Sequence, residues 1–221
     1  MSKLYFRHGA MNSGKSTALL QAAYNYEERG QQVLLAKPRL DTKGDNDIVS
    51  RLGVTRPVDF TVGPEEDIYD AFSRERARVQ RETGKDVSCL LVDEAQFFSE
   101  SQVDDLLRIA IIESVPVLAY GIRTDFQTVA FPGSRRLLEI AHSLEELKTI
   151  CRCGRKAMFN ARTVDGEFVF DGDQVAIDGV DVSYESLCGK CYLEESDGVL
   201  NNGRRPRAAF SYTEEPDPDF T

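Results

Sequence analysis

No apolar run in this 221-residue chain approaches the ~20 residues that a membrane-spanning helix needs. The N-terminus enters a strand pattern directly, without the basic start and apolar middle of a secretory leader, so a cytoplasmic location is expected. Positive charge is scarce: 27 Lys and Arg stand against 37 Asp and Glu, a net charge of −10. That argues against a duplex nucleic-acid binder, whose phosphate contacts need a basic face, but not against one local pocket for a small anion. Cysteine is sparse, and in a reducing compartment its five residues are better read as thiols or metal ligands than as disulfides. Nor is there an internal repeat. What remains is a chain 41% hydrophobic and 29% charged, enough for one substantial core or a domain plus a small annex.

The strongest signal is Gly9-Ala10-Met11-Asn12-Ser13-Gly14-Lys15-Ser16, with Thr17 after it. It follows the apolar stretch Leu4-Tyr5-Phe6 and precedes a helix-forming run. The spacing is that of a phosphate-binding loop, and the flanking strand and helix are the context it requires. Two glycines let the backbone curl so that successive N–H groups face one anion. The positive end of the next helix points at the same spot. Lys15 can reach the β- and γ-phosphates of ATP, and Ser16 can hold Mg²⁺. A second apolar strand, Val87 to Val92, delivers Asp93-Glu94, which is how such folds place a carboxylate on the metal side of the phosphates. Asp93 is the magnesium candidate.

Cys89 lies inside that strand and reads as a small core residue. The other cysteines form two close pairs, Cys151/Cys153 and Cys188/Cys191. Four thiolates suit a closed, tetrahedral, structural Zn²⁺ site. One pair has the usual two-residue gap, and Cys151-Arg152-Cys153 has a gap of one.

Alternating strand and helix patterns up to residue 150 predict an α/β core with a parallel sheet and helices on both faces. Strands are expected at Leu4 to His8, Gln32 to Lys37, Val87 to Val92, Val115 to Ile122 and Leu147 to Ile150. Helices are expected over Lys15 to Arg29, Glu65 to Glu82, Gln102 to Ile112, and from an N-cap at Ser134 to His142. After Cys151 the helix signal fades. Ala157 to Val164 and Glu167 to Phe170 flank Asp165-Gly166, a favoured hairpin turn. The segment from Asp171 to Ser186 has too few large apolar residues for a core of its own, and a metal knot at its base would close it. The expected division is a nucleotide-binding core over 1–150, a zinc-binding lasso over 151–192 and a largely disordered tail over 193–221.

Three stretches together carry a family resemblance: the phosphate loop with Thr17, Val92-Asp93-Glu94-Ala95-Gln96-Phe97, and Tyr120-Gly121-Ile122-Arg123-Thr124-Asp125-Phe126. With the four-cysteine lasso, the chain from residue 3 to about 192 resembles the type II thymidine kinases, bacterial branch. The resemblance implies a P-loop RecA-like core with a small zinc-binding β/lasso domain. It implies transfer of the ATP γ-phosphate to the 5′-hydroxyl of thymidine, with Glu94 as catalytic base. It implies nucleoside contacts at Met11, Phe97, Phe126, Ile177, Gly179 and Tyr184. A homotetramer, feedback inhibition by dTTP, and no nucleic-acid or membrane partner are likewise only implied. Where Asp-x-Arg is expected, the chain has Asp41-Thr42-Lys43; lysine lacks the arginine fork, leaving roles open among Lys43, Arg39 and Arg51. Arg162 matches a basic family position for which the sequence supplies no role. The residues alone also fit a RecA-like ATPase whose zinc module acts on nucleic acid, or a module that binds nucleotide without turning it over.

Overall fold

In the computed structural model of the protein, the described residues are 1–39, 46–172, 174 and 182–200. The core is a six-stranded sheet. Strand β1 is Leu4–His8, β2 Gln32–Pro38, β5 Phe60–Val62, β6 Val87–Val92, β7 Val117–Gly121 and β8 Ser143–Glu146. Their order is β5-β2-β6-β7-β1-β8, with every pairing parallel. Two short strands, β3 (Asp47–Val49) and β4 (Thr55–Pro57), pair antiparallel beside it.

Strand alternation sends side chains to two apolar layers. Leu34 and Ala36 of β2 face one way and pack with helices α2 (Ile68–Thr83), α3 (Glu100–Ile112) and α4 (Pro132–Ile140) through Phe72, Ile109 and Leu137. Val33 and Leu35 face the other way, against Leu19, Leu20 and Ala23 of helix α1 (Lys15–Glu27). Each fully buried Leu or Phe contributes about 1.5–3 kcal/mol relative to exposure. Helix α2 starts where the Asp67 carboxylate accepts from Tyr69 and Asp70 N–H, and it ends at Gly84 in the left-handed conformation. Among the described residues, no helix is long and apolar enough to cross a membrane.

The annex begins with β9 (Thr149–Ile150) paired to β10 (Lys156–Ala157). A three-stranded antiparallel sheet follows, ordered β12-β11-β13, made of β11 (Phe159–Val164), β12 (Glu167–Val169) and β13 (Val182–Leu187). Asp165 and Gly166 take the left-handed backbone that the hairpin turn demands, with φ of 51° and 84°. Helix α5, Gly189–Glu195, continues past residue 192. Residues 201–221 of the expected tail lie outside the described residues.

Two expectations fail in detail. Ser134 does not cap helix α4. Pro132 opens that helix, because its fixed φ suits the first turn, and the Ser134 hydroxyl instead donates to the Ile122 carbonyl at 2.5 Å. The last core strand is Ser143–Glu146; of the expected strand Leu147 to Ile150, only Thr149–Ile150 forms, and it pairs with β10 in the annex. As an edge strand Ser143–Glu146 is half exposed, so its polar alternation hides it from an apolar-run reading. Within the segment before Cys188, Val182–Leu187 forms a strand on β11, which supplies the partner that the segment's own residues lack.

Candidate active site

The phosphate loop runs from the end of β1 to α1. Gly14 adopts φ 78°, and no side chain caps the helix it precedes, so the first helical N–H groups face outward. Gly9 is needed for space: a Cβ there would lie 2.4 Å from the Leu147 carbonyl and from the Ser13 hydroxyl. Lys15 is buried, with Nζ donating to the carbonyls of Gly9 at 3.2 Å and Ala10 at 2.9 Å. The loop thus holds its cation folded back over its own backbone.

Ser16 Oγ donates to Asp93 Oδ2 at 3.1 Å, joining the loop to the end of β6. Asp93 is buried, and burial, then the neighbouring Glu94 charge, pushes its carboxyl above the ordinary range. A divalent cation would reverse that, since it favours the carboxylate form. A serine hydroxyl and a buried carboxylate are a hard-oxygen pair of the kind Mg²⁺ takes.

Glu94 has φ 49° and ψ 37°, a left-handed conformation that costs a non-glycine residue about 1–3 kcal/mol. The bend separates the two carboxylates: Asp93 turns to Ser16, and Glu94 turns to Gln96. Gln96 Nε2 donates to Glu94 Oε2 at 2.5 Å, and Gln96 Oε1 accepts from Ile122 N–H at 3.2 Å. The amide is therefore pinned at the end of β7 and fixes the glutamate. Beside it opens a cleft of about 520 Å³, with Gln96, Phe97, Phe131 and Gln174 among its walls. The rings of Phe97 and Phe131 meet edge to face at 5.5 Å.

A seam joins the annex to this site. In β11, Ala161 points into the small annex core, while Asn160 and Arg162 face away from it. In β13, Ser186 lies opposite Asn160 and Tyr184 opposite Arg162. Asn160 accepts from the Met11 N–H at 2.7 Å and donates to the Thr124 carbonyl at 3.0 Å. The Ser186 hydroxyl donates to the Met11 carbonyl. Both polar groups of one phosphate-loop residue are thus held by the annex. Distance in sequence does not suggest this contact. Further along, Phe126 is buried, and its carbonyl accepts from Tyr192 OH at 2.6 Å.

The four cysteines meet behind the seam, their sulfurs all within 4.8 Å of one another. None is in a disulfide, and Cys153 and Cys188 Sγ lie 3.5 Å apart. Tetrahedral thiolates at ~2.3 Å from a zinc ion stand on the order of 3.8 Å apart, so the cluster fits one metal. The Cys191 N–H, donating to Cys188 Sγ, draws that thiol below its ordinary range.

Of the expected site residues, Ser16, Asp93 and Glu94 converge at the loop, Phe97 lines the cleft, and Met11 and Tyr184 lie on the seam. Ile177, Gly179 and Lys43 lie outside the described residues. Arg39 pairs with Glu66 at 2.8 Å on the surface, and Arg51 is exposed. Sequence reasoning missed Gln96, Phe131, Asn160 and Ser186. Polar residues at alternate positions in both annex strands were the available signal for the last two.

The cleft beside Gln96 is walled in part by the rings of Phe97 and Phe131, which suit a flat acceptor molecule rather than a polymer. The class so defined is a P-loop kinase with a small acceptor. Comparison with known proteins narrows it. The thymidine kinase family model matches residues 2–192, and the chain belongs to that family. It is 48% identical over 197 residues to a thymidine kinase of Idiomarina loihiensis, covering 88% of this chain and 97% of that protein. Identity to a Legionella pneumophila thymidine kinase is 46% over 190 residues, covering 85% and 88%. The thymidine kinase of Enterobacteria phage T4 is 44% identical over 196 residues, covering 88% and 97%.

Proposed function

We propose that the protein transfers the γ-phosphate of ATP to the 5′-hydroxyl of thymidine, giving dTMP. The observation that carries this reading is the placement of Glu94: adjacent to the loop-facing Asp93 and bonded to Gln96, which itself lines the aromatic cleft. A nucleoside hydroxyl is a weak nucleophile, and a positioned carboxylate accepts its proton as attack proceeds. Glu94 has that task. Lys15 and the amides from Gly9 to Thr17 stabilise charge on the transferring group. Ser16 and Asp93 would hold Mg²⁺, which would supply positive charge against the phosphates.

The base contacts fall to Met11, Phe97, Phe126 and Tyr184, with Phe131 beside Phe97; flat rings suit a flat base, and the expected contacts at Ile177 and Gly179 lie outside the described residues. Zn²⁺ on Cys151, Cys153, Cys188 and Cys191 is structural, since four thiolates leave no open position. A homotetramer, inhibition by dTTP and a cytoplasmic location complete the reading. The half-exposed Leu144 of edge strand β8 and Leu138 of α4 supply apolar surface for assembly.

Incubation with radiolabelled ATP, Mg²⁺ and a panel of nucleosides tests it. Label should appear in dTMP well ahead of any purine product. Equal labelling of deoxyadenosine, or ATP hydrolysis stimulated by nucleic acid without nucleoside phosphorylation, would overturn it.

A further inference from the structure

Arg162 is a buried cation that neither the reaction nor the metal site uses. Its guanidinium carbon lies 3.6 Å from the centroid of the Phe126 ring, a flat stack. Nε donates to Tyr184 OH at 3.2 Å, and NH2 donates to the Gln174 carbonyl at 3.1 Å. Gln174 in turn donates from Nε2 to Asp125 Oδ2 at 2.9 Å and lines the cleft. Among the described residues Arg162 has no ion-pair partner. Burying a guanidinium against rings, a phenol and a carbonyl forgoes the compensation a carboxylate would give. Stability alone is better served by an apolar side chain of similar volume at such a place.

What the arrangement does supply is geometry. One planar group touches three pieces of chain at once: the Phe126 ring from the core, Tyr184 from β13, and Gln174 from the cleft wall. A guanidinium can stack and donate in two directions together; an ammonium cannot. We infer that Arg162 is a positioning residue for the nucleoside, setting Phe126, Tyr184 and Gln174 relative to one another so that the acceptor site is formed before the substrate arrives. This rests on the kinase reading above, but not on thymidine being the substrate.

The test compares Arg162→Met, Arg162→Lys and Tyr184→Phe with wild type, on whichever nucleoside the wild type phosphorylates fastest. Methionine keeps the apolar length and removes the donors. Arg162→Met should raise the nucleoside KM at least ~10-fold, the factor that about 1.4 kcal/mol represents. The ATP KM should stay within twofold and kcat should change less than the nucleoside KM. Arg162→Lys should recover only part of the loss. Tyr184→Phe keeps the ring and removes one acceptor, so it should raise the nucleoside KM severalfold. In the Arg162→Met background it should add little. A nucleoside KM within twofold of wild type in Arg162→Met overturns the inference. So do equal rises in both KM values, full recovery by lysine, or additive effects of the two changes. Should Arg162→Met fail to fold, Tyr184→Phe decides alone, and a wild-type nucleoside KM there sinks the inference.

Discussion

The core and the annex solve the same problem with different materials. The core sheet buries apolar residues on both faces, from Leu4 and Phe6 at β1 to Leu137 of α4. Among the described residues the annex core has seven buried members, and three of them are the cysteines Cys151, Cys188 and Cys191. Remove the sulfurs from consideration and Ala157, Ala161, Leu187 and Tyr192 remain, with partly buried Phe159, Phe168 and Phe170 around them. So small an apolar cluster is the kind that a metal bound at the four cysteines would reinforce. The lesson concerns the division of chemistry. On the function proposed above, the core carries the groups that handle phosphate together with Phe97 and Phe131 of the cleft, and the annex adds Arg162 and Tyr184 to the acceptor side. The seam at Met11 keeps the two from being independent.

The largest effect should follow metal removal. A chelator strong enough to strip the cysteine cluster should abolish nucleoside turnover. Helical circular dichroism, dominated by the core, should persist, and added Zn²⁺ should restore activity. Concerted loss of all helical signal would show that the core depends on the annex and would erase the contrast. Next in size is Glu94→Gln. General-base catalysis typically contributes ~10²–10⁴-fold, so kcat should fall in that range with both substrates still bound. A kcat within threefold of wild type would remove Glu94 from the role.

Asn160→Ala attacks the seam. It leaves the Met11 N–H without its acceptor, and an unsatisfied buried donor costs about 1–3 kcal/mol. Although the change lies in the annex, the ATP KM should rise along with the nucleoside KM. An unchanged ATP KM would mean the contact is passive. The smallest effect concerns His8, at the mouth of β1. Among the described residues its Nδ1 is buried without a hydrogen-bond partner. Burial, then Arg123, hold its pKa below the ordinary value; Lys15 and Lys156 act in the same sense, and Glu146 opposes them. The unfolded chain therefore binds a proton first as pH falls, and stability is lost on acidification from roughly 6.5 downward. His8→Gln should flatten that loss in thermal melts between pH 7 and pH 5, and an unchanged slope would assign the acid sensitivity elsewhere.

Much of the core was legible because its signals are local. The loop Gly9 to Ser16 and the strand ending at Asp93 each announce themselves within a dozen residues. The edge strand Ser143–Glu146 did not, because exposure lets its residues be polar. The placement of Lys15, Ser16 and Asp93 was legible, because the loop spacing and the strand end fix it locally and the Ser16 hydroxyl meets Asp93. The site was not legible where a residue acts through a distant partner. Gln96 matters because Ile122 N–H holds it, and Asn160 matters because the loop comes to it. Such pairings are set by topology, and no window of sequence contains both members.

The alternation of β11 also bears on which changes of length the gene can accept. Ala161 and Arg162 face opposite sides of one strand, so a single inserted or deleted residue between Phe159 and Arg162 would exchange the faces beyond it. A charge would enter the small core, and a methyl would stand where the guanidinium stacks on Phe126. The same parity governs Tyr184 and Ser186 in β13. Point changes in these strands can be graded, but a shift of one codon cannot. Variation in length is instead channelled to the Asp165-Gly166 turn, where the strand partners end and an added residue flips nothing.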